Sequence, residues 1–206
     1  MLVLIFSFDN ASEVGIGRCS EGKSLTFNTS ISYVKTPCLD VTGTSFTVSL
    51  WLYLQSTTKS QFPTIYAEMR ETKGEPKGFY LSAKDQHFHL MLVHDMGAAE
   101  LLKSNDKIKL KMWTNVVITF LDEKRELTLY IDGKKQDYAS IWQGIDFFSS
   151  FAGIPSCTFG NIPDFRLGNK YQLFGSVMDF YLLNCAVSDD YIDSLRGKFD
   201  ITSHIF

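Results

Sequence analysis

Ser45-Phe46-Thr47-Val48-Ser49-Leu50-Trp51-Leu52-Tyr53-Leu54 decides the fold. Its even positions are all apolar, and its odd positions are Ser, Thr, Ser, Trp and Tyr. Successive side chains of a strand point to opposite faces, so this period of two describes a strand with one buried face. Asn115-Val116-Val117-Ile118-Thr119-Phe120 repeats the pattern, and so does Glu126-Leu127-Thr128-Leu129-Tyr130-Ile131. Between them lies Leu121-Asp122-Glu123-Lys124-Arg125, a polar connection of hairpin length. Asp132-Gly133 then closes the second strand with a turn dipeptide.

Working outward, further strands are expected at 76–83, 87–93, 107–112, 164–169 and 175–185. Met1-Leu2-Val3-Leu4-Ile5-Phe6 lacks the basic flank of a signal peptide and reads as a first strand. The polar stretches 55–62 and 71–77 read as surface loops. One short helix is expected over 188–196, with Ser188 as N-cap, acids in the first turn and Gly197 as the stop. Many short strands and no alternating long helices give an all-β fold. The specific expectation is a two-sheet antiparallel jelly-roll sandwich with one short C-terminal helix. No Pro-, Gly- or Ser-rich linker and no repeat divides the chain, so residues 1–206 are expected to form a single domain.

Composition narrows the function. Hydrophobic residues make up 45% and charged residues 21%, the balance of a globular chain. The 17 Phe, 9 Tyr and 3 Trp favour half-buried pleated surfaces. A net charge of −3 provides no basic footprint for nucleic acid, so that partner is excluded. No apolar stretch reaches the roughly 18 residues of a membrane span, and no direct membrane insertion is expected.

Cys19, Cys38, Cys157 and Cys185 allow three full pairings, and none has metal-ligand spacing. If 24–27 and 31–34 form a hairpin turning at Asn28-Thr29, facing positions have numbers that add to 57. Cys19 and Cys38 satisfy that sum, leaving Cys157 for Cys185, although Pro37 is poorly suited to the second strand. Four buried free thiols are the alternative. Two glycosylation tripeptides, at Asn10 and Asn28, fall at expected turns.

The order of segments resembles a known family. Leu4-Ile5-Phe6-Ser7-Phe8-Asp9-Asn10 resembles the opening strand of laminin-G-like jelly-roll domains, and Gly22-Lys23-Ser24-Leu25-Thr26-Phe27 with Ser32-Tyr33-Val34 resembles the next two. The 45–51 stretch is similar to the family's "sFTvslW" strand. Trp113-Thr114-Asn115-Val116-Val117-Ile118-Thr119 and Leu129-Tyr130-Ile131-Asp132-Gly133-Lys134 are similar to its hairpin. Arg166-Leu167-Gly168, Gly175-Ser176-Val177-Met178-Asp179-Phe180 and the helix after Ala186 resemble its closing segments. The resemblance spans residues 4–196. It implies two antiparallel sheets of six or seven strands with concanavalin-A-like topology. It also implies recognition of proteins, glycans or matrix components, within a larger receptor or secreted protein. The related pentraxins carry a His-x-Cys-x-Thr-Trp signature, whereas 115–120 here has neither that His, that Cys nor that Trp. Their paired-calcium acidic cluster has no equivalent to carry over.

The candidate chemistry points to binding and away from catalysis. Glucanases on this fold align carboxylates as Glu-x-Asp-x-(x)-Glu on one strand, while Glu123, Glu126, Asp132 and Asp137 are scattered over a hairpin. No Gly-x-Ser-x-Gly elbow occurs. His87 and His89 share a strand face, with His94 on the other, and two histidines alone make a poor zinc site. Calcium is the expected ion if one binds, with Asp9 and Asn10, or Asn161 and Asp164, as rim-loop ligands. Each of these also reads as an Asx-turn residue. Trp51 and Trp113 read as packing residues, one beside each sheet.

Segment 137–163 is aromatic-rich without a clean period and reads as a loop over the core. Trp142, Phe147 and Phe148 within it are candidates for a partner or self-association surface. The expectation is therefore a non-catalytic extracellular recognition or adhesion module, or the ectodomain of a membrane protein, binding a protein or glycan. The alternatives are a glycan-active enzyme on the same fold and a structural homo-oligomerisation domain.

Overall fold

The computed structural model describes residues 3–6, 14–16, 23–28, 33–38, 45–56, 62–71, 77–94, 97–140, 154–162 and 171–197. They form a two-sheet antiparallel jelly-roll sandwich. One sheet contains β1 (Val3–Phe6), β2 (Val14–Ile16), β3 (Lys23–Phe27) and β5 (Phe46–Leu54). Its other strands are β10 (Trp113–Leu121), β11 (Glu126–Ile131), β12 (Lys134–Ser140) and β14 (Gly175–Leu183). The opposing sheet contains β4 (Val34–Thr36), β6 (Thr64–Glu71), β7 (Lys77–Ser82), β8 (His89–His94), β9 (Gly97–Lys103) and β13 (Ile154–Phe159). The first sheet runs in the order β12-β11-β10-β5-β14-β3-β2, with β1 also paired to β14; the second runs β4-β13-β6-β7-β8-β9.

The alternation in 45–54 becomes the centre of the first sheet. β5 pairs with β10 on one side and β14 on the other. Its even positions, Phe46 to Leu54, all enter the core between the sheets. Val116, Ile118 and Phe120 from β10 join them, with Leu127, Leu129 and Ile131 from β11. An aromatic cluster crosses the gap. The Tyr66 ring lies 4.8 Å from Phe180 of the facing sheet and 5.1 Å from Phe159 of its own. Truncating one such buried ring to Ala would cost about 3–5 kcal/mol, which marks this cluster as the centre of the fold.

Asp132-Gly133 forms the expected turn, with φ of 50° and 76°, the positive pair that a two-residue hairpin connection requires. Gly160 also takes a positive φ, 86°, where the chain leaves β13. A Cβ there would stand 2.3 Å from the Phe27 ring, so only glycine fits.

The helix α1 (Asp189–Gly197) packs on the outer face of the first sheet. Ile192, with Leu195 and Val187, covers Val117 and Tyr130. The Tyr130 hydroxyl donates to Asp189 Oδ1 at 2.6 Å, and the Ser188 carbonyl accepts from Ile192 N at 3.3 Å, as an N-cap does.

Several expectations are corrected. Segments 24–27 and 31–34 form no hairpin: β3 pairs with β2 and β14, while β4 lies in the other sheet against β13. The Cys19–Cys38 and Cys157–Cys185 pairing fails with it. Because Thr36 lies opposite Cys157, Cys38 just beyond it bonds Cys157, and Cys185 is a free, half-buried thiol. Cys19 lies outside the described residues. Segment 137–163 is not one loop, since β12 extends to Ser140 and β13 begins at Ile154. Trp142, Phe147 and Phe148 lie outside the described residues, as does the strand expected at 164–169. Trp51 and Trp113 both belong to the first sheet. The strand expected at 107–112 is a loop.

Candidate functional site

That loop is the outstanding feature of one end of the sandwich. β5 ends there, β10, β12 and β14 begin there, and Lys103 delivers the chain from β9. Residues 104–112 are held from three sides. The Ser104 amide donates to the Phe88 carbonyl, and its hydroxyl accepts from Phe88 N at 2.9 Å and donates to the Asp106 carbonyl at 2.7 Å. Ile108 N donates to the Gln86 carbonyl, and Lys111 N to the Leu54 carbonyl. From β12, Gln136 accepts from Asp106 N through Oε1 and from Asn105 Nδ2 through its backbone carbonyl; its own Nε2 donates to Asp106 Oδ2.

Ile108 alone of 107–112 turns into the core, and Lys111 takes a left-handed φ of 59°. Lys107, Lys109, Leu110, Lys111 and Met112 are all exposed. Leu110 is 39% exposed and Met112 53%, so neither serves the core. At the loop's foot the rings of Trp113 and Tyr53 lie 5.5 Å apart, tilted by 51°, and both residues are half-buried. The adjacent hairpin tip adds exposed Lys134 and Lys135. Lys84 Nζ sits 4.8 Å above the Phe62 ring at the same end.

Among the described residues of this end the carboxylates are Asp85, Asp106 and Asp132, with Asp85 exposed, against Lys84, Lys103, Lys107, Lys109, Lys111, Lys134 and Lys135. Asp106 is bonded to Gln136, and Asp132 Oδ1 accepts from Asn115 N at 2.9 Å. No ion pair among the described residues involves Lys107, Lys109 or Lys111. A chain of net charge −3 therefore carries a locally cationic end with two aliphatic tips.

The residues singled out by sequence distribute differently. Asn161 is buried: its Oδ1 accepts from Ile162 N at 2.8 Å and its Nδ2 points to Gln172 Oε1 at 3.4 Å. It has no oxygen turned outward for calcium. Asp9, Asn10 and Asp164 lie outside the described residues, and the described ones bring together no group of three or more His, Cys, Asp and Glu that could hold a metal ion. His89 is buried, with Nδ1 2.5 Å from Glu100 Oε2 and Nε2 3.2 Å from the Lys84 carbonyl. Both ring nitrogens face internal acceptors. His87 Nδ1 faces the Ser104 carbonyl at 2.8 Å. Trp51 is buried and closed to sugar stacking. Asn28 is exposed directly after β3, at the same end as the lysines.

Sequence reasoning missed Glu68, a buried carboxylate on the core side of β6 opposite Phe79 and Cys157, with Arg70 3.4 Å away. Its even spacing from Tyr66 was the available signal. It also missed the loop, because alternating Lys and apolar residues mimic a strand.

A family model described as the concanavalin A-like lectin/glucanases superfamily (Laminin_G_3) matches residues 28–193. The chain belongs to that family. No curated protein sequence matches it. Among solved structures, domain 4 of AbnA, an extracellular arabinanase from Geobacillus stearothermophilus captured with arabinotriose, is similar with a TM-score of 0.64 and 16% identity; 95% of this chain and 87% of that one are covered. The CBM40 module of a Ruminococcus gnavus sialidase, also solved with α2,3-sialyllactose, has a TM-score of 0.64 and 14% identity over 84% of this chain and 97% of that one. The binding domain of Paraclostridial Mosquitocidal Protein 1 has a TM-score of 0.60 and 16% identity over 95% of this chain, which spans 45% of that domain's chain. At these identities the likeness concerns the fold.

Proposed function

We propose that this chain is a non-catalytic recognition module that binds a glycan or protein partner through its lysine-bearing loop end. The observation that carries the reading is the held loop of residues 104–112. A segment tied down by Phe88, Gln86, Leu54 and Gln136 nevertheless presents Leu110 and Met112 to solvent. Apolar side chains held outward among lysines give a partner a preorganised surface that needs little ordering on binding.

The carboxylates argue the same way. Hydrolysis of a glycosidic bond needs two of them flanking a cleft, about 5–9.5 Å apart. Glu68 instead points between the sheets with aromatic and cysteine neighbours. The similar structures that are a carbohydrate-binding module or a toxin binding domain support a binding role. The Cys38–Cys157 bond supports an oxidising, extracellular or ectodomain setting.

A glycan array and a cell-surface partner screen, each run with and without calcium, test the reading. Capture of a ligand that the double variant Lys109→Glu/Lys111→Glu loses is expected. Glycan hydrolysis, or capture untouched by that variant, would overturn it.

A further inference from the structure

We propose that the loop end docks on an anionic lipid bilayer, seating Leu110 and Met112 at the headgroup boundary with the surrounding lysines on the lipid charges. The inference rests on the recognition reading above for the surface, and assigns that surface a lipid partner in place of a glycan or protein.

The two exposed tips are aliphatic. A sugar is gripped by stacked rings and hydrogen bonds, neither of which Leu110 or Met112 supplies. Among the described residues of this end the cations are lysines, and no arginine occurs in residues 84–113 or 132–136. Arginine's planar fork is the group suited to bidentate capture of a sulfate or carboxylate, and protein interfaces enrich arginine while depleting lysine. Lysine, a flexible point charge, matches a diffuse anionic surface and can snorkel beside inserted apolar groups.

Trp113 and Tyr53, paired and half-buried at the loop's foot, have the amphipathic character of residues that settle at the membrane interface. The hydrogen bonds to Gln136, Gln86 and Leu54 hold the tips outward before contact, so little ordering is needed on docking. Such docking uses loop side chains and needs no spanning element. It departs from the expectation of no direct membrane insertion, which was drawn from the lack of a long apolar run.

Co-sedimentation of the whole chain with phosphatidylcholine vesicles, with and without phosphatidylserine, tests the proposal, alongside a soluble sulfated polysaccharide. Binding to the phosphatidylserine vesicles and not to pure phosphatidylcholine is expected, weakened by salt as screening shortens. Lys109→Ser/Lys111→Ser should weaken it about fivefold per lysine, the equivalent of about 1 kcal/mol each. Leu110→Ser/Met112→Ser should weaken it roughly tenfold or more while leaving the thermal melt unchanged, because both residues are exposed. No vesicle binding, or vesicle binding indifferent to the aliphatic pair, overturns the lipid assignment. If the polysaccharide is bound in place of vesicles, through the lysines alone, the lipid assignment falls and the recognition reading stands. If the loop variants change capture of no ligand at all, both fall.

Discussion

Asp179 interrupts β14 at a register shift, with a positive φ of 49° and a buried Oδ2 that has no hydrogen-bond partner among the described residues. Burial pushes its carboxyl up from 3.8 to about 6. Below the lower value the group is protonated whether folded or not and contributes nothing. As pH rises from about 4 to 6 the unfolded chain ionises first, so stability falls, and above 6 the penalty is complete. Asp179→Asn keeps a side chain that tolerates the left-handed region and removes the charge. It should raise the urea midpoint at neutral pH, with the gain fading towards pH 4. A gain independent of pH would show that burial of the charge is not the cause. At the same scale, Asn161→Ala strands the Ile162 amide inside the protein. About 1–3 kcal/mol of stability should be lost in denaturant melts, equally with calcium and with chelator.

Among the elements, the strands with one apolar and one polar face were legible and the rest were less so. β5, β10 and β11 announce themselves because every second residue meets the core, and Asp132-Gly133 marks its own turn. The stretch Lys107-Ile108-Lys109-Leu110-Lys111-Met112 carries the same period and is no strand. Only Ile108 finds a buried site, and the left-handed Lys111 turns the chain into β10. Local alternation cannot reveal whether a neighbouring strand is free to pair. The false hairpin at 24–34 has the same origin, since adjacency in sequence was read as adjacency in a sheet.

The Cys38–Cys157 bond was hidden for that reason, being set by pairing across 119 residues. It ties β4, a three-residue edge strand, to β13. A loop of about 100 residues closed in the unfolded chain is worth about 4.7 kcal/mol in the entropy account. Cys38→Ser/Cys157→Ser should therefore lower the denaturant midpoint markedly, and reductant should do the same to the unmodified protein. A midpoint unmoved by either would show that the bond constrains nothing.

For the whole molecule, the two ends of the sandwich differ. The end that holds Trp113, Lys134 and the 104–112 loop is lysine-rich with aliphatic tips. The opposite end carries Asp122, Glu123 and Glu126 along with Lys124 and Arg125, where Arg125 and Asp122 pair at 2.6 Å. A net charge of −3 does not reveal this polarity, because a chain reversal brings Lys134 and Lys135 to the end where the sequence cluster Lys107, Lys109 and Lys111 lies. The most direct test of the account is ligand capture by three versions of the chain: the natural sequence, Lys109→Glu/Lys111→Glu at the loop end, and Glu123→Lys at the other. The account predicts capture by the first and third and loss by the second, with all three melting alike. Equal capture by all three, or loss only in Glu123→Lys, would contradict it.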